Sequence, residues 1–78
     1  MPTVLRVGSI RFFFYSNEGH EPPHVHVVQA ENVAKFWLEP IQIERSGGFN
    51  RSELSDLEAI IEEHHSEFAE AWRDYFEG

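Results

Sequence analysis

The sequence predicts an α+β domain in which a small antiparallel β-sheet packs against one C-terminal amphipathic helix. The first half contains short runs of β-branched and aromatic residues separated by turn-forming Gly, Pro and Asn, which is typical of strands. The last third carries apolar residues at three- and four-residue spacings, which is typical of a helix with one buried side. We expect the 78 residues to form one domain, residues 1–78.

About five short strands are predicted in the first half of the chain. Pro22 and Pro23 separate the second strand from the third, because proline has no N–H to donate within a sheet. Pro40 separates the fourth strand from the fifth in the same way. The short turns between successive strands favour an antiparallel meander. The predicted strands span residues 3–7, 10–15, 24–30, 33–38 and 41–44.

The helix is predicted to begin after Asn50. Asn50 is a good N-cap, and Glu53 three positions later completes the pattern of a capping box. The apolar stripe of the helix consists of Leu54, Leu57, Ile61, Phe68, Trp72 and Phe76. It covers roughly seven turns at 3.6 residues per turn, which is more than a small sheet can cover. We therefore expect the helix to kink near residues 64–66 or to project part of its stripe towards a partner.

The formal net charge of −8 is concentrated in the last third of the chain. Residues 1–50 carry four basic and five acidic side chains, whereas residues 51–78 carry two basic and nine acidic ones. Because nucleic-acid binding depends on neutralising phosphates, only residues 1–50 remain available for that role. The chain has no cysteine and no apolar run long enough to cross a membrane, so we expect a cytoplasmic protein without membrane contact.

The alternation of side chains along the predicted strands sorts the sheet residues into two faces. The more apolar set, which includes Phe12, Val25 and Phe36, is expected to pack beneath the helix. The opposite face, which we call the second face, then mixes basic, aromatic and imidazole side chains. Its predicted members are Arg11, Phe13, Tyr15, His24, His26, Lys35 and Trp37.

This composition favours a protein interface. Seven Phe, two Trp and two Tyr are many for so small a core, and Tyr, Trp, Phe and Arg are enriched at interfaces. We expect contact with a protein partner or with a second copy of the chain. The predicted interface residues are Phe13, Trp37, Trp72 and Phe76. Single-stranded nucleic acid is an alternative ligand, because bases stack on aromatic rings beside cations.

Catalysis is an alternative function of the second face. His24 and His26 would serve as general acid and base. The residues that would stabilise charge developing on a phosphate are Arg11, Tyr15 and Lys35. This arrangement describes a metal-independent ribonuclease. The chain has no glycine-rich phosphate loop, nucleophile elbow or Cys–His pair, so an interaction role is favoured over an enzymatic one.

A metal site is the third interpretation of the histidines. His24 and His26 lie at i and i+2 on a predicted strand, so their imidazoles point the same way. Zinc requires three or four ligands, and His20, Glu18 and Glu21 in the preceding loop are the available candidates. We expect no cofactor, with a divalent metal on His24, His26 and His20 as the alternative.

Five segments of the chain carry a specific combined pattern, namely PTVLR at 2–6, RFFFYSNEG at 11–19, EPPHVHV at 21–27, AKFWL at 34–38 and AWRDYF at 71–76. This pattern resembles a family of small bacterial proteins known only as a domain of unknown function. The resemblance implies a genetic context, because members are often encoded beside a second small uncharacterised domain in an arrangement similar to a toxin–antitoxin pair. It implies no catalytic residues, and His20 is not a fixed part of the pattern. We therefore predict one component of a toxin–antitoxin-like pair.

Overall fold

Five strands followed by two helices make up the fold in a computed structural model, which describes residues 3–77. The elements are β1 (Thr3–Val7), β2 (Ile10–Phe13), β3 (His24–Gln29), β4 (Asn32–Leu38), β5 (Ile41–Arg45), α1 (Arg51–Glu63) and α2 (His65–Phe76). The strands form one sheet in the order β1-β2-β3-β4-β5, and all neighbouring strands are antiparallel. The predicted α+β fold, with a meander packed by C-terminal helical structure, is confirmed.

The C-terminal region forms two helices where the sequence predicted one. The chain breaks at His64, whose φ of −107° and ψ of 19° depart from helical geometry. This break lies in the region where a kink was expected, and the apolar sides of both helices pack on the sheet. Neither helix, within the part of the chain that the structure describes, combines the length and the apolar character that a membrane span requires.

The core lies between the helices and one face of the sheet, as the alternation pattern predicts. Sheet residues in this cluster are at most 1% exposed, and they are Phe12, Val25, Val27, Ala34, Phe36 and Leu38. The helices contribute Leu57, Ile61, Phe68 and Trp72. Strand β2 ends two residues earlier than predicted, yet Phe14 remains buried and its ring centroid lies 5.2 Å from that of Trp72. The opposite face of the sheet is left without a helical layer.

The capping box at the start of α1 is formed as the sequence predicts. The Glu53 N–H donates to Asn50 Oδ1 at 2.8 Å, and the Asn50 N–H donates to Glu53 Oε1 at 2.9 Å. We expect Asn50→Ala to lower the free energy of unfolding by about 1 kcal/mol, because one helix-end N–H loses its acceptor. Urea denaturation followed by circular dichroism measures this loss. Ser55→Ala, at an exposed position within α1, is the control and should change stability by less than about 0.5 kcal/mol.

Candidate functional site

The strand register brings the predicted second-face residues together. Phe13 pairs with His26 across β2 and β3, and His26 pairs with Lys35 across β3 and β4. His24 pairs with Trp37 in the next row. Directly opposite residues of an antiparallel pair lie on the same face of a sheet. The two histidines, the lysine and the tryptophan therefore share one face of the sheet, where His24, His26 and Lys35 are nevertheless buried.

The loop between β2 and β3 folds over this surface in two consecutive turns. The Glu18 N–H donates to the Tyr15 carbonyl at 3.4 Å, and the Glu21 N–H donates to the Glu18 carbonyl at 3.1 Å. Gly19 packs so closely on α2 that a Cβ atom at this position would lie 2.4 Å from Cδ1 of Phe76. A side chain at Gly19 would therefore force the Phe76 ring to shift, so the loop that carries Glu18 and Glu21 lies directly against α2.

One carboxylate oxygen contacts both imidazoles. Glu18 Oε1 lies 2.8 Å from His24 Nε2 and 2.7 Å from His26 Nε2. His24 is fully buried and His26 is 6% exposed, whereas the Glu18 side chain is 22% exposed. The other ring nitrogen of His24, Nδ1, donates to the Pro22 carbonyl at 2.9 Å. We call Glu18, His24 and His26 the carboxylate–imidazole cluster.

Burial and hydrogen bonding act in opposite directions on this cluster. Burial raises the pKa of Glu18, but the contacts with His24 and His26 outweigh it, so the pKa of the carboxyl lies below its usual range. For His26, burial is the largest effect and lowers the pKa of the imidazole, while Glu18 offsets only part of the shift. Glu18 is therefore ionised at neutral pH, and the His26 ring is held neutral.

A second carboxylate pairs with the buried lysine. Glu21 Oε1 accepts a hydrogen bond from Lys35 Nζ at 2.7 Å, and this bond is the main reason why the pKa of Glu21 is lowered. The Lys35 side chain is only 10% exposed. Its ammonium also lies 4.7 Å from the ring centroid of Trp37, within cation–π distance.

Four basic residues of the second face are placed in like-charged pairs. Arg6 lies directly opposite Arg11 across β1 and β2, and Lys35 lies opposite Arg45 across β4 and β5. These four are all of the basic residues in positions 1–50. Like charges directly opposite each other destabilise a sheet. The nine acidic residues of positions 51–78 belong to the helical side, so the two sides of the molecule differ in charge.

The remaining predicted site residues occupy different environments. Tyr15 is 37% exposed, and its ring centroid lies 4.5 Å from that of His26. The His20 side chain is 74% exposed and lies apart from the cluster, with Nε2 3.9 Å from Glu21 Oε2. Phe13 is 2% exposed, with its ring stacked on that of His26. Trp37 and Phe76 are half-buried, the latter packed on Trp72.

Trp72 belongs to the core, at 2% exposure. Its ring packs under the sheet, with a centroid 4.9 Å from that of His24. The burial of Trp72 and of Phe13 leaves Trp37 as the large aromatic residue of the second face that a partner protein can reach alongside Tyr15.

Sequence reasoning assigned no role on the second face to Arg6 or Arg45, and it named Glu18 and Glu21 only as loop candidates for a metal. Alternation from Leu5 places Arg6 on the second face. Alternation from Ile43 would place Arg45 on the core face, and the register shift between Lys35 and Phe36 is what brings Arg45 opposite Lys35. The position of the two carboxylates depends on how the loop folds back, which alternation does not encode.

Comparison with known proteins identifies one family. The family model described as "Domain of unknown function (DUF4160)" matches residues 9–73. No curated protein and no solved structure matches the chain.

Proposed function

Since this chain belongs to the DUF4160 family of domains of unknown function, we propose its function from the second face: it binds an acidic surface of a partner protein. In this proposal the chain is a cytoplasmic bacterial protein and one component of a toxin–antitoxin-like pair. The partner is the second small protein that the sequence resemblance associates with the family. The observation that carries the proposal is the arrangement of arginines across the second face.

The three arginines of the second face have no carboxylate partner within residues 3–77. They are Arg6, Arg11 and Arg45, and Arg6 faces Arg11 directly. The Nε atom of Arg11 is buried without a hydrogen-bond partner in this part of the chain. Carboxylates supplied by a partner would relieve the repulsion between Arg6 and Arg11.

Apolar groups adjoin the arginines and supply contact area. Val28 lies between Arg11 and Val33 in one cross-strand row, and Val33 is 39% exposed. Tyr15 and Trp37 flank the histidine pair. An aromatic and aliphatic centre bordered by arginine is the composition enriched in protein interfaces.

The charge of the whole molecule favours a protein partner over nucleic acid. The net charge of −8 repels a polyanion at a distance, and the helical side carries most of that charge. A compact acidic patch on a partner protein would attract the arginines mainly at contact, because charges farther apart than the Debye length of about 10 Å at 0.1 M salt are screened. The arginines of the second face therefore suit a few carboxylates better than a long phosphate backbone.

Charge reversal on the second face tests the proposal. The chain is co-expressed with the protein encoded beside it, and the complex is measured by light scattering after size exclusion and by titration calorimetry. We expect Arg11→Glu to weaken binding at least tenfold, because one attractive charge becomes repulsive. Trp37→Ala should weaken it by a similar factor, because buried tryptophan dominates interface energetics.

The matched control is Arg73→Glu, which makes the same charge change at an exposed position on α2. It should leave the affinity within about twofold, and circular dichroism should show that all variants are folded. The proposal fails if the chain is a monomer that does not bind the neighbouring protein. It also fails if Arg73→Glu weakens binding as much as Arg11→Glu does, since the second face would then not be the contact surface.

A second candidate function is that of a metal-independent ribonuclease. The observation that favours it is the convergence of His24, His26, Tyr15 and Lys35 on one face. With Arg11, these residues are the catalytic set that the sequence suggests. Induced expression in a bacterial host, with growth and total RNA followed for wild type and His26→Ala, tests it. Growth arrest with degraded RNA, relieved by His26→Ala, would support this candidate, whereas intact RNA would exclude it.

A further inference from the structure

We propose that Glu18, His24 and His26 form a binding site for one divalent transition-metal ion, independent of the partner-binding role. A ligand atom from each residue lies within 4.8 Å of the other two. Two imidazoles and one carboxylate are a donor set used by catalytic zinc sites and by non-haem iron sites. The site joins the loop between β2 and β3 to strand β3, so the ion would connect parts of the chain that are six and eight residues apart.

The hydrogen bonds of His24 prepare its Nε2 atom for a metal. The Pro22 carbonyl can only accept, so Nδ1 carries the hydrogen of this contact at 2.9 Å. In the neutral ring, Nε2 then presents a lone pair to Glu18 Oε1, which is 2.8 Å away and also carries lone pairs. Because two lone pairs repel each other, this contact requires a positive charge, either between the two atoms or on the ring. An Nδ1–H bonded to a backbone carbonyl is the arrangement that orients a metal-bound histidine.

One metal ion can supply that charge at a site away from bulk water, because the His24 ring is fully buried. A metal ion supplies the positive charge to both imidazoles and to the carboxylate at once.

The three ligand atoms lie within 4.8 Å of one another and would have to rearrange around an ion. Zinc–nitrogen bonds of about 2.0–2.1 Å in tetrahedral geometry place ligand atoms roughly 3.3 Å apart. Glu18 would therefore withdraw by about half an ångström from its present contacts. It lies on a loop and its side chain is 22% exposed, so it is the ligand that can move. Three protein ligands leave at least one position for water or another ligand.

The third ligand of this site is Glu18 and not His20. The His20 side chain is 74% exposed and directed to Glu21 Oε2, and it does not belong to the group of converging donor atoms. This difference supplies a matched control, because Glu18→Gln and His20→Gln each change one candidate ligand in the same loop.

The experiment titrates Zn²⁺ into untagged, EDTA-treated protein and follows binding by calorimetry. We expect one Zn²⁺ per chain, at least tenfold weaker binding in Glu18→Gln, and less than a twofold change in His20→Gln. In parallel, the ¹⁵N resonances of the histidine rings are recorded for the wild type. Zn²⁺ should shift Nε2 of His24 and His26 while the ring signals of His20, His64 and His65 stay in place.

Several results would overturn the proposal. One is wild-type protein that binds no Zn²⁺ or Ni²⁺ at a one-to-one ratio. Another is binding that His20→Gln weakens as much as Glu18→Gln, or ring shifts at surface histidines only. The ¹⁵N measurement uses wild-type protein, so it decides the matter even if Glu18→Gln does not fold.

Discussion

Replacing Trp72 with alanine is expected to lower the free energy of unfolding by about 3–5 kcal/mol, the usual cost of truncating a buried tryptophan. Trp72 is 2% exposed, and its ring contacts Phe14 and Phe76, with centroid distances of 5.2 and 4.2 Å. It also packs under the His24 ring. The truncation would leave a cavity where α2, the end of β2 and the start of β3 meet.

A loss of this size approaches the whole stability of a small domain, which at roughly 0.05–0.15 kcal/mol per residue is about 4–12 kcal/mol here. Urea denaturation at low temperature, followed by circular dichroism, measures it, and Trp72→Phe provides a milder variant if the alanine protein does not fold. Tyr75→Ala is the control, since Tyr75 is on the same helix but 47% exposed. A loss below about 1 kcal/mol for Trp72→Ala would contradict the core position and restore Trp72 as a candidate interface residue.

The fold could be predicted because its determinants are local. Alternation in residues 10–14, 24–28 and 33–38 distinguishes a buried from an open sheet face, and the structure keeps that division. The capping residues Asn50 and Glu53 fix the start of α1 within the sequence itself. Each signal depends on neighbours within a few positions, so no knowledge of the tertiary structure is needed to detect it.

The sequence predicts the break at His64 only as one of two outcomes: a kink near residues 64–66, or a helix that projects part of its apolar stripe towards a partner. The apolar stripe continues through it with unchanged spacing from Ile61 to Phe68, so periodicity alone gives one long helix. The constraint that ends α1 is tertiary, because a five-stranded sheet is shorter than a straight helix of this length. Sequence reasoning can detect that mismatch but cannot decide whether the helix bends or projects.

The carboxylates of the site could not be placed from the sequence. Glu18, His20 and Glu21 are close in the chain, and all three were available to reach the histidine pair. In the folded loop, Gly19 lies against Phe76, 57 positions away in the chain, Glu18 faces the imidazoles and His20 faces solvent. A contact that distant leaves no trace in local spacing.

The large number of aromatic residues is a second feature that the sequence alone cannot assign to the core or to the surface. Composition alone suggests that some of the rings contact a partner. In the structure Phe12, Phe14, Phe36 and Phe68 fill the core with Trp72, and Phe13 stacks on His26. The aromatic groups that remain accessible on the second face are Tyr15 and Trp37. Arginine placement, which composition could not reveal, therefore carries more of the interaction proposal than aromatic content does.

Removing the Glu21 carboxylate is expected to lower the free energy of unfolding by roughly 2–3 kcal/mol, because the charge of Lys35 would lose its partner while remaining largely buried. The Lys35 side chain is 10% exposed, and its 2.7 Å bond to Glu21 Oε1 is its ion pair within residues 3–77. The Glu21 side chain is 30% exposed, so the expected loss lies below that for a fully buried pair. Denaturation of Glu21→Ala in EDTA measures this loss without any contribution from bound metal.

A second substitution identifies the cause of the loss. If Glu21→Ala destabilises through the unpaired lysine, then adding Lys35→Met should recover most of the stability, because an apolar side chain of similar length needs no counter-charge. If the loss instead reflects a disordered loop, the double variant should be no more stable than Glu21→Ala alone. Glu44→Ala, at an exposed position on β5, is the control for removing one negative charge. Recovery in the double variant would show that Glu21 neutralises the buried lysine. The arginines would then be the cations of the second face that remain available to bind a partner.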